Sequence, residues 1–356
     1  MRVKRIVLTG GGSAGHVTPN LALIPELTKL NWKIDYIGTH YGIERELIGD
    51  SIPYHPISAG KLRRYFDVKN FTDPFRVVKG VIDAYFILRK IRPNIVFSKG
   101  GFVSLPVSVA AKFLGIPVVL HESDFTPGLA NKLALPFAAH LCLAFPETIE
   151  YVPKEKATIT GNPIRKTLFS GDKNRAREMC KFTEEKPVIL VIGGSLGAVR
   201  INQVIRLGLD ELLREFQLIH ICGKGNLDLS IEAPGYCQFE YVSQELPDIF
   251  ALADLVVSRA GANVLFELLA LKKPHVLIPL SKGASRGDQV LNAESFAKQG
   301  FSVVLKEENL TQSELLSTIR HLNHKQADYV KAMEQSKLKN ASDEIIKLIE
   351  KLSGNQ

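Results

Sequence analysis

The 356 residues include 45 Lys and Arg against 37 Asp and Glu, a formal net charge of +8, and 45% are apolar. A chain of this length exceeds what one hydrophobic core serves, so two domains are expected, and its apolar runs around 105–111 and 117–120 stop well short of the ~18 residues a membrane-spanning helix needs. The charge favours anionic partners, yet it is dispersed and no helix-turn-helix, zinc or RNA-binding signature accompanies it, which argues against nucleic acid.

The opening Arg2, Lys4 and Arg5 lead into an apolar run that breaks at Gly10, too short for a secretory leader. Cys142, Cys180, Cys222 and Cys237 show neither C-x-x-C nor metal-ligand spacing. They read as reduced, buried thiols of a cytoplasmic protein that holds no metal.

The first strand, 5–9, runs into Gly10-Gly11-Gly12-Ser13-Ala14-Gly15-His16. Such a turn lets backbone N–H groups approach an anion, with the next helix's N-terminal dipole behind them. Taken singly, it also reads as a tight turn with no ligand. A helix is expected over 20–29 and a strand over 33–37. The segment 61–90 then interleaves Lys61, Arg63, Arg64 and Lys79 with Phe75, Ile82 and Phe86 at helical spacing. That pattern suits an anionic membrane surface, or an amphipathic helix whose apolar side joins the core. Strands at 95–98, 117–120 and 139–143, with a helix at 128–133, complete a first α/β unit, and Thr160-Gly161-Asn162-Pro163 breaks both periodicities and marks the boundary between domains 1–162 and 163–340.

The glycine device returns after a strand at 188–192 as Gly193-Gly194-Ser195-Leu196-Gly197-Ala198. A helix over 202–216, strands at 218–221, 255–258 and 274–278, and helices at 263–270 and 289–298 follow. The polar stretch 328–352 reads as one helix and 353–356 as a frayed tail. Short buried strands alternating with helices imply α/β architecture with doubly wound parallel sheets, in which ligands sit beyond the carboxyl ends of the strands. Two glycine turns half a chain apart suggest two Rossmann-like domains facing a deep cleft.

Taken together, Gly10 to His16, Gly38-Thr39 with Gly42-Ile43-Glu44, Ser98-Lys99-Gly100-Gly101-Phe102, His121-Glu122-Ser123-Asp124, Pro127 to Lys132, Gly161-Asn162-Pro163-Ile164-Arg165, Gly193 to Ala198 and Ser258-Arg259-Ala260-Gly261-Ala262 follow the order and approximate spacing of the MurG-type N-acetylglucosaminyltransferases of peptidoglycan synthesis. The chain resembles that family over nearly its whole length. The resemblance implies the GT-B fold, an N-terminal acceptor and membrane-associating domain, a C-terminal UDP-GlcNAc domain, and a last helix, about 341–356, that packs back on the first domain. It implies an inverting, metal-independent transfer, without a cofactor, of GlcNAc from UDP-GlcNAc to the C4 hydroxyl of MurNAc in undecaprenyl-pyrophosphoryl-MurNAc-pentapeptide (lipid I). The product is β1,4-linked lipid II, made by a peripheral enzyme at the cytoplasmic face of the cell membrane.

No D-x-D triplet occurs in the chain, so the charge of the departing diphosphate would fall on backbone N–H groups after Gly193-Gly194, the Ser195 hydroxyl and the turn Gly261-Ala262-Asn263. By resemblance, Arg165 and Arg259 lie near the nucleotide, although either also reads as an ion pair. Glu267 suits the ribose hydroxyls because a carboxylate accepts from both. Val242 would meet the uracil edge, Tyr241 the ring, and Gln289 the sugar. The chain departs from the family pattern at Asp124, where relatives carry Asn, and at Asp288, where they carry Gln; both keep acceptors and lose amide donors. On the acceptor side Ser13, Ala14 and Gly15 would face the substrate, with His16 as base or orienting group. His121 and Glu122 form the rival pair, and His16 and Glu122 stand as the candidate catalytic residues. An NAD(P) oxidoreductase would need an acid where Tyr36-Ile37-Gly38-Thr39 stands. The same motifs are also compatible with a different UDP-sugar lipid transferase, a UDP-GlcNAc epimerase or a non-catalytic nucleotide-sugar-binding scaffold at the membrane.

Overall fold

The computed structural model describes residues 3–60, 73–183, 185–194, 197–281, 287–338 and 340–354. The chain forms two compact units, Met1–Arg165 with Leu338–Gln356, and Lys166–Lys337. Among the described residues the first unit has seven strands: β1 (Arg5–Thr9), β2 (Lys33–Thr39), β3 (Tyr54–Ile57), β4 (Ile95–Ser98), β5 (Val118–Glu122), β6 (His140–Leu143) and β7 (Ala157–Ile159). All pair in parallel, in the order β3-β2-β1-β4-β5-β6-β7.

Alternation along each strand builds a core on both faces of this sheet. Val7, Val96, Val118 and Leu120 meet Ala84, Leu88 and Ile91 of the helix Asp73–Ile91 and Val107, Ala110 and Ala111 of Ser104–Phe113. Ile6, Leu8, Ile95, Phe97 and Val119 meet Leu23 and Leu27 of Thr18–Lys29 and Ile345, Ile346 and Ile349 of the last helix, Ser342–Ser353. Asn340 ties that helix down: its side-chain oxygen accepts from the Ile164 and Ser342 amides at 3.1 and 3.0 Å, and its nitrogen donates to the Ile164 carbonyl at 3.0 Å.

The second unit carries β8 (Val188–Ile192), β9 (Gln217–Ile221), β10 (Tyr236–Phe239), β11 (Leu255–Ser258), β12 (His275–Leu277) and β13 (Ser302–Val304) among the described residues, again all parallel, in the order β10-β9-β8-β11-β12-β13. Ile189, Val191, Val257 and Val276 form its core with Ile201, Val204 and Ile205 of Val199–Leu207 and Leu315, Leu316 and Ile319 of Gln312–His324.

Two expected helices are interrupted. The one over 202–216 is split at Gly208 into Val199–Leu207 and Leu209–Glu215, where a Cβ would stand 2.8 Å from Gln312 Cγ. The stretch 328–352 is Gln326–Glu334 and Ser342–Ser353, with the passage between units lying between them. Ser353, expected in a frayed tail, is buried at the end of the last helix. Cys142, Cys180 and Cys222 are free and buried; Cys237, expected buried, is only half-buried on edge strand β10.

Because Ile349 is fully buried in the first unit's core, Ile349→Ala is expected to lower stability by about 2–5 kcal/mol through the cavity it leaves. Urea unfolding of the full chain measures this.

Candidate functional site

The first glycine turn leaves β1 and presses against a second one that leaves β4. Gly12, Gly100 and Gly101 hold φ of +87°, +91° and +79°, in the left-handed region. A Cβ on Gly101 would stand 2.1 Å from the Gly11 carbonyl oxygen, and one on Gly12 would stand 2.3 Å from the Phe102 ring. Ser13, Ala14 and Gly15 continue the turn into the short 3-10 segment Ala14–His16 ahead of Thr18–Lys29.

His16 is half-buried, with Nδ1 3.1 Å from both the Gly11 carbonyl oxygen and Ser13 Oγ. A carbonyl only accepts, so a hydrogen bond to Gly11 requires the tautomer with the proton on Nδ1 and the lone pair on Nε2. Behind the turn, the fully buried Glu44 accepts from the Gly12 and Thr39 amides, both at 3.1 Å, and from the Thr39 hydroxyl.

The end of β5 presents the second histidine in a different state. His121 is fully buried; Nε2 donates to the Gly161 carbonyl at 2.9 Å and Nδ1 accepts from Lys99 Nζ at 2.7 Å. Burial, then the neighbouring ammonium, holds its pKa well below the usual histidine value. Lys99 also donates to Ser123 Oγ, and burial pushes it down to about 8 against the pull of Glu122 and Asp124. Glu122 spends both carboxylate oxygens on its own loop: one accepts from the Asp124 amide at 3.1 Å, the other from the Gly128 amide at 2.8 Å and Asn131 Nδ2 at 2.9 Å. It thereby ties the end of β5 to the start of the helix Leu129–Ala134. Asp124 is half-buried on this loop, where its carbonyl accepts from Thr148 Oγ1 at 3.3 Å.

In the second unit a cavity of about 410 Å³ opens at the carboxyl ends of β8 and β11, lined in part by Gly194, Gly197, Ser258, Arg259, Gly261 and Gln289. Gly194 has φ +90° with open space where a Cβ would stand, and Gly261 also faces open space, so a ligand can reach bare backbone there. Gly261 caps Ala262–Leu271, whose N-terminal dipole points into this region; Ala262 and Asn263 lie in its first turn and Glu267 further along. Gln289 accepts from the Leu280 amide at 3.1 Å, and Asp288 opens the helix Asp288–Lys298. Val242 is buried and Tyr241 exposed. Val242, Asn263, Glu267 and Asp288 are not among the residues that line the cavity.

Ser195 lies outside the described residues. Arg165 is half-buried and belongs to the first unit. Arg259, although at the cavity wall, is a strut: Nη1 donates to the Ile278 carbonyl at 3.1 Å and Nη2 pairs with Glu307 Oε1 at 2.5 Å. Glu307 in turn accepts from the Ser281 amide at 3.4 Å.

On Asp73–Ile91 the stripe Phe75, Val78, Ile82 and Phe86 is 78%, 60%, 51% and 63% exposed, so it is not the face that joins the core. Lys79 is held by Asp83 at 3.6 Å and Ser58 Oγ at 2.8 Å, while Lys61, Arg63 and Arg64 lie outside the described residues. Among the described residues no helix is long and apolar enough to cross a membrane, and no three His, Cys, Asp or Glu side chains gather to hold a metal. Sequence reasoning missed Lys99 and Glu44 as site residues. Each stood inside a recognised motif, Ser98 to Phe102 and Gly42 to Glu44, but its burial against a glycine turn is a tertiary fact.

Residues 6–142 match the glycosyltransferase family 28 N-terminal domain and residues 188–349 the family 28 C-terminal domain. A Clostridium kluyveri protein named UDP-N-acetylglucosamine–N-acetylmuramyl-(pentapeptide) pyrophosphoryl-undecaprenol N-acetylglucosamine transferase is 58% identical over 351 residues, 98% of this chain and 99% of that protein. A Clostridium perfringens protein of the same name is 57% identical over 353 residues, 99% of each. Among solved structures, Acinetobacter baumannii MurG superposes with a TM-score of 0.75 at 25% identity, covering 98% of this chain and 99% of that one.

Arg259 and Glu307 are both mostly buried. Removing one partner of such a pair strands the other, so Arg259→Ala is expected to cost about 3–5 kcal/mol. The Arg259→Met, Glu307→Leu double variant should recover much of that loss in thermal or urea unfolding.

Proposed function

The chain belongs to glycosyltransferase family 28, and from that premise we infer its reaction: transfer of N-acetylglucosamine from UDP-N-acetylglucosamine to undecaprenyl-pyrophosphoryl-MurNAc-pentapeptide, lipid I, giving lipid II for peptidoglycan. The observation that carries it is 58% identity over 351 residues, end to end, with a transferase of that name. An epimerase or an unrelated lipid glycosyltransferase would share the fold without that identity.

In our reading the donor belongs to the second unit. Its diphosphate lies over the bare backbone at Gly194 and Gly261, where N–H groups and the dipole of Ala262–Leu271 meet the negative charge that builds as UDP departs. Ala262 and Asn263 add donors there, and on the family pattern Ser195 is our further candidate for the diphosphate. Glu267 takes the ribose hydroxyls, Val242 the uracil edge, and Gln289 with Asp288 the sugar. Arg259 holds the wall of this cavity through Glu307 and Ile278. On the family pattern, Arg165 is our further candidate for the nucleotide.

The acceptor belongs to the first unit, at Ser13, Ala14, Gly15 and the loop around Asp124. The C4 oxygen of MurNAc attacks C1 of the donor sugar from the face opposite UDP. The bond from C1 to the β-phosphate oxygen breaks with its electron pair going to UDP, and His16 Nε2 takes the hydroxyl proton. Its support is the Nδ1 bond to Gly11, which leaves Nε2 the basic atom. Both nitrogens of His121 are already used, and Glu122 shapes the loop that carries Asp124 rather than moving a proton.

Incubation with a lipid I analogue and radiolabelled UDP-GlcNAc in excess EDTA is expected to give the β1,4-linked product at an undiminished rate. Loss of turnover on chelation with recovery in Mg²⁺ would overturn the dipole-based account of the leaving group. Formation of a 2-epimer in place of disaccharide would overturn the reaction itself.

A polyprenyl acceptor brings the enzyme to the lipid surface, and the exposed stripe on Asp73–Ile91 is our candidate contact, on the cytoplasmic face, with Lys61, Arg63 and Arg64 supplying charge. Phe75→Ser with Phe86→Ser should sharply reduce co-sedimentation with phosphatidylglycerol vesicles while leaving UDP-GlcNAc affinity unchanged. Undiminished sedimentation would move the contact elsewhere.

A further inference from the structure

The Gly11–Gly12 peptide unit is bonded at both ends. Its N–H, from Gly12, donates to Glu44 Oε2 at 3.1 Å, and its C=O, from Gly11, lies 3.1 Å from His16 Nδ1. From this chain of bonds we propose that Glu44 is the carboxylate of a relay that runs through a peptide bond, Glu44 to Gly11–Gly12 to His16, and that it sets the tautomer and raises the basicity of His16. The proposal rests on the reading of His16 as the base.

Three observations carry it. Glu44 is fully buried, and an ionised carboxylate is costly there unless its lone pairs are met by donors. Two amides and a hydroxyl meet them: Gly12 N–H, Thr39 N–H and Thr39 Oγ1.

Second, glycines cage the carboxyl group. A Cβ on Gly11, Gly38 or Gly42 would stand 2.7, 2.9 or 2.4 Å from Glu44 side-chain atoms, so the backbone closes around this one side chain. Third, hydrogen bonds in series polarise one another. A carboxylate on the N–H of an amide increases the negative charge on that amide's oxygen, which strengthens the bond it accepts from His16. The effect resembles that of a carboxylate bonded directly to an imidazole, transmitted through one peptide plane.

The charged groups on the elements packed against this turn are Glu44, Arg45 and Glu46 of Ile43–Ile48 and Lys99, whose Cβ lies beside Gly10; the hydroxyls of Tyr36 and Tyr54 adjoin them, with Tyr36 donating to the Gly10 carbonyl at 2.7 Å. Of these, Glu44 is bonded to the peptide unit that holds His16. The same carboxylate occupies the Gly12 amide that a nucleotide phosphate would need, whereas Gly194 in the second unit faces open space.

Glu44→Gln, nearly isosteric, is expected to lower kcat about 10- to 100-fold, as loss of such a supporting partner typically does, with UDP-GlcNAc affinity unchanged. The acid limb of its pH–rate profile should move to lower pH, because a less basic histidine stays deprotonated further into acid; Glu44→Asp should recover part of both effects. His16→Ala is the reference: if it retains the acid limb, the base reading fails. If it loses the limb while Glu44→Gln leaves limb and rate as in the wild type, the relay is overturned and the base reading stands. Nitrogen-15 NMR of the wild-type enzyme adds a test that needs no variant. The relay requires His16 protonated on Nδ1 at neutral pH, and a dominant Nε2–H form would overturn it.

Discussion

The first unit's chemistry depends on how closely two glycine turns approach. With 2.1 Å between the Gly11 carbonyl oxygen and any Cβ at 101, no side chain is tolerated there, and with φ +79° the backbone favours glycine for its own sake as well. That approach brings the ends of β1 and β4 together. The Lys99 stem passes beside Gly10, its ammonium reaches His121 and Ser123 at the end of β5, and Ser123 donates onward to Asn162 at 3.1 Å. One steric constraint thus links four segments that are far apart in sequence.

The glycine turns after β1 and β8 look alike as sequence and differ in their surroundings. Around the first, the protein supplies its own anion, Glu44; around the second, the backbone at Gly194 and Gly261 faces open space. A helix N-terminus and a glycine turn make an anion site only where the N–H groups are unspent. Two units with similar sheets can therefore differ at their glycine turns through one buried carboxylate, without any difference in sheet topology around the turns.

What was legible in the sequence follows burial. The nine strands expected from apolar runs are β1, β2, β4, β5, β6, β8, β9, β11 and β12, all interior to their sheets. The four that were missed, β3, β7, β10 and β13, are the edges. Interior strands of a parallel sheet are covered on both faces and read as continuous apolar runs, whereas an edge such as Ala157–Ile159 is three residues long and partly exposed. The helix break at Gly208 was hidden for a similar reason, since nothing local announces that Gln312 packs there. The family motifs marked segments that the fold brings to the carboxyl ends of β1, β4, β5, β8 and β11. They did not mark that Arg259 would be tied to Glu307, because that pairing is settled by a partner distant in sequence.

The two histidines show how burial separates residues that a sequence treats as equals. His16 closes the turn that leaves β1, and His121 is the penultimate residue of β5. His121 is sealed, with an ammonium on one nitrogen and a carbonyl on the other, so taking up a proton would add charge beside Lys99 in a fully buried site. His16 is half-exposed, with Nδ1 3.1 Å from the Gly11 carbonyl oxygen and from Ser13 Oγ. A base must be able to gain a proton and present that atom to a substrate. The environment of His121 denies both, so its imidazole works as a rigid spacer that fixes Lys99 and the Gly161 backbone, and that burial is what separates it from the half-exposed histidine of the glycine turn.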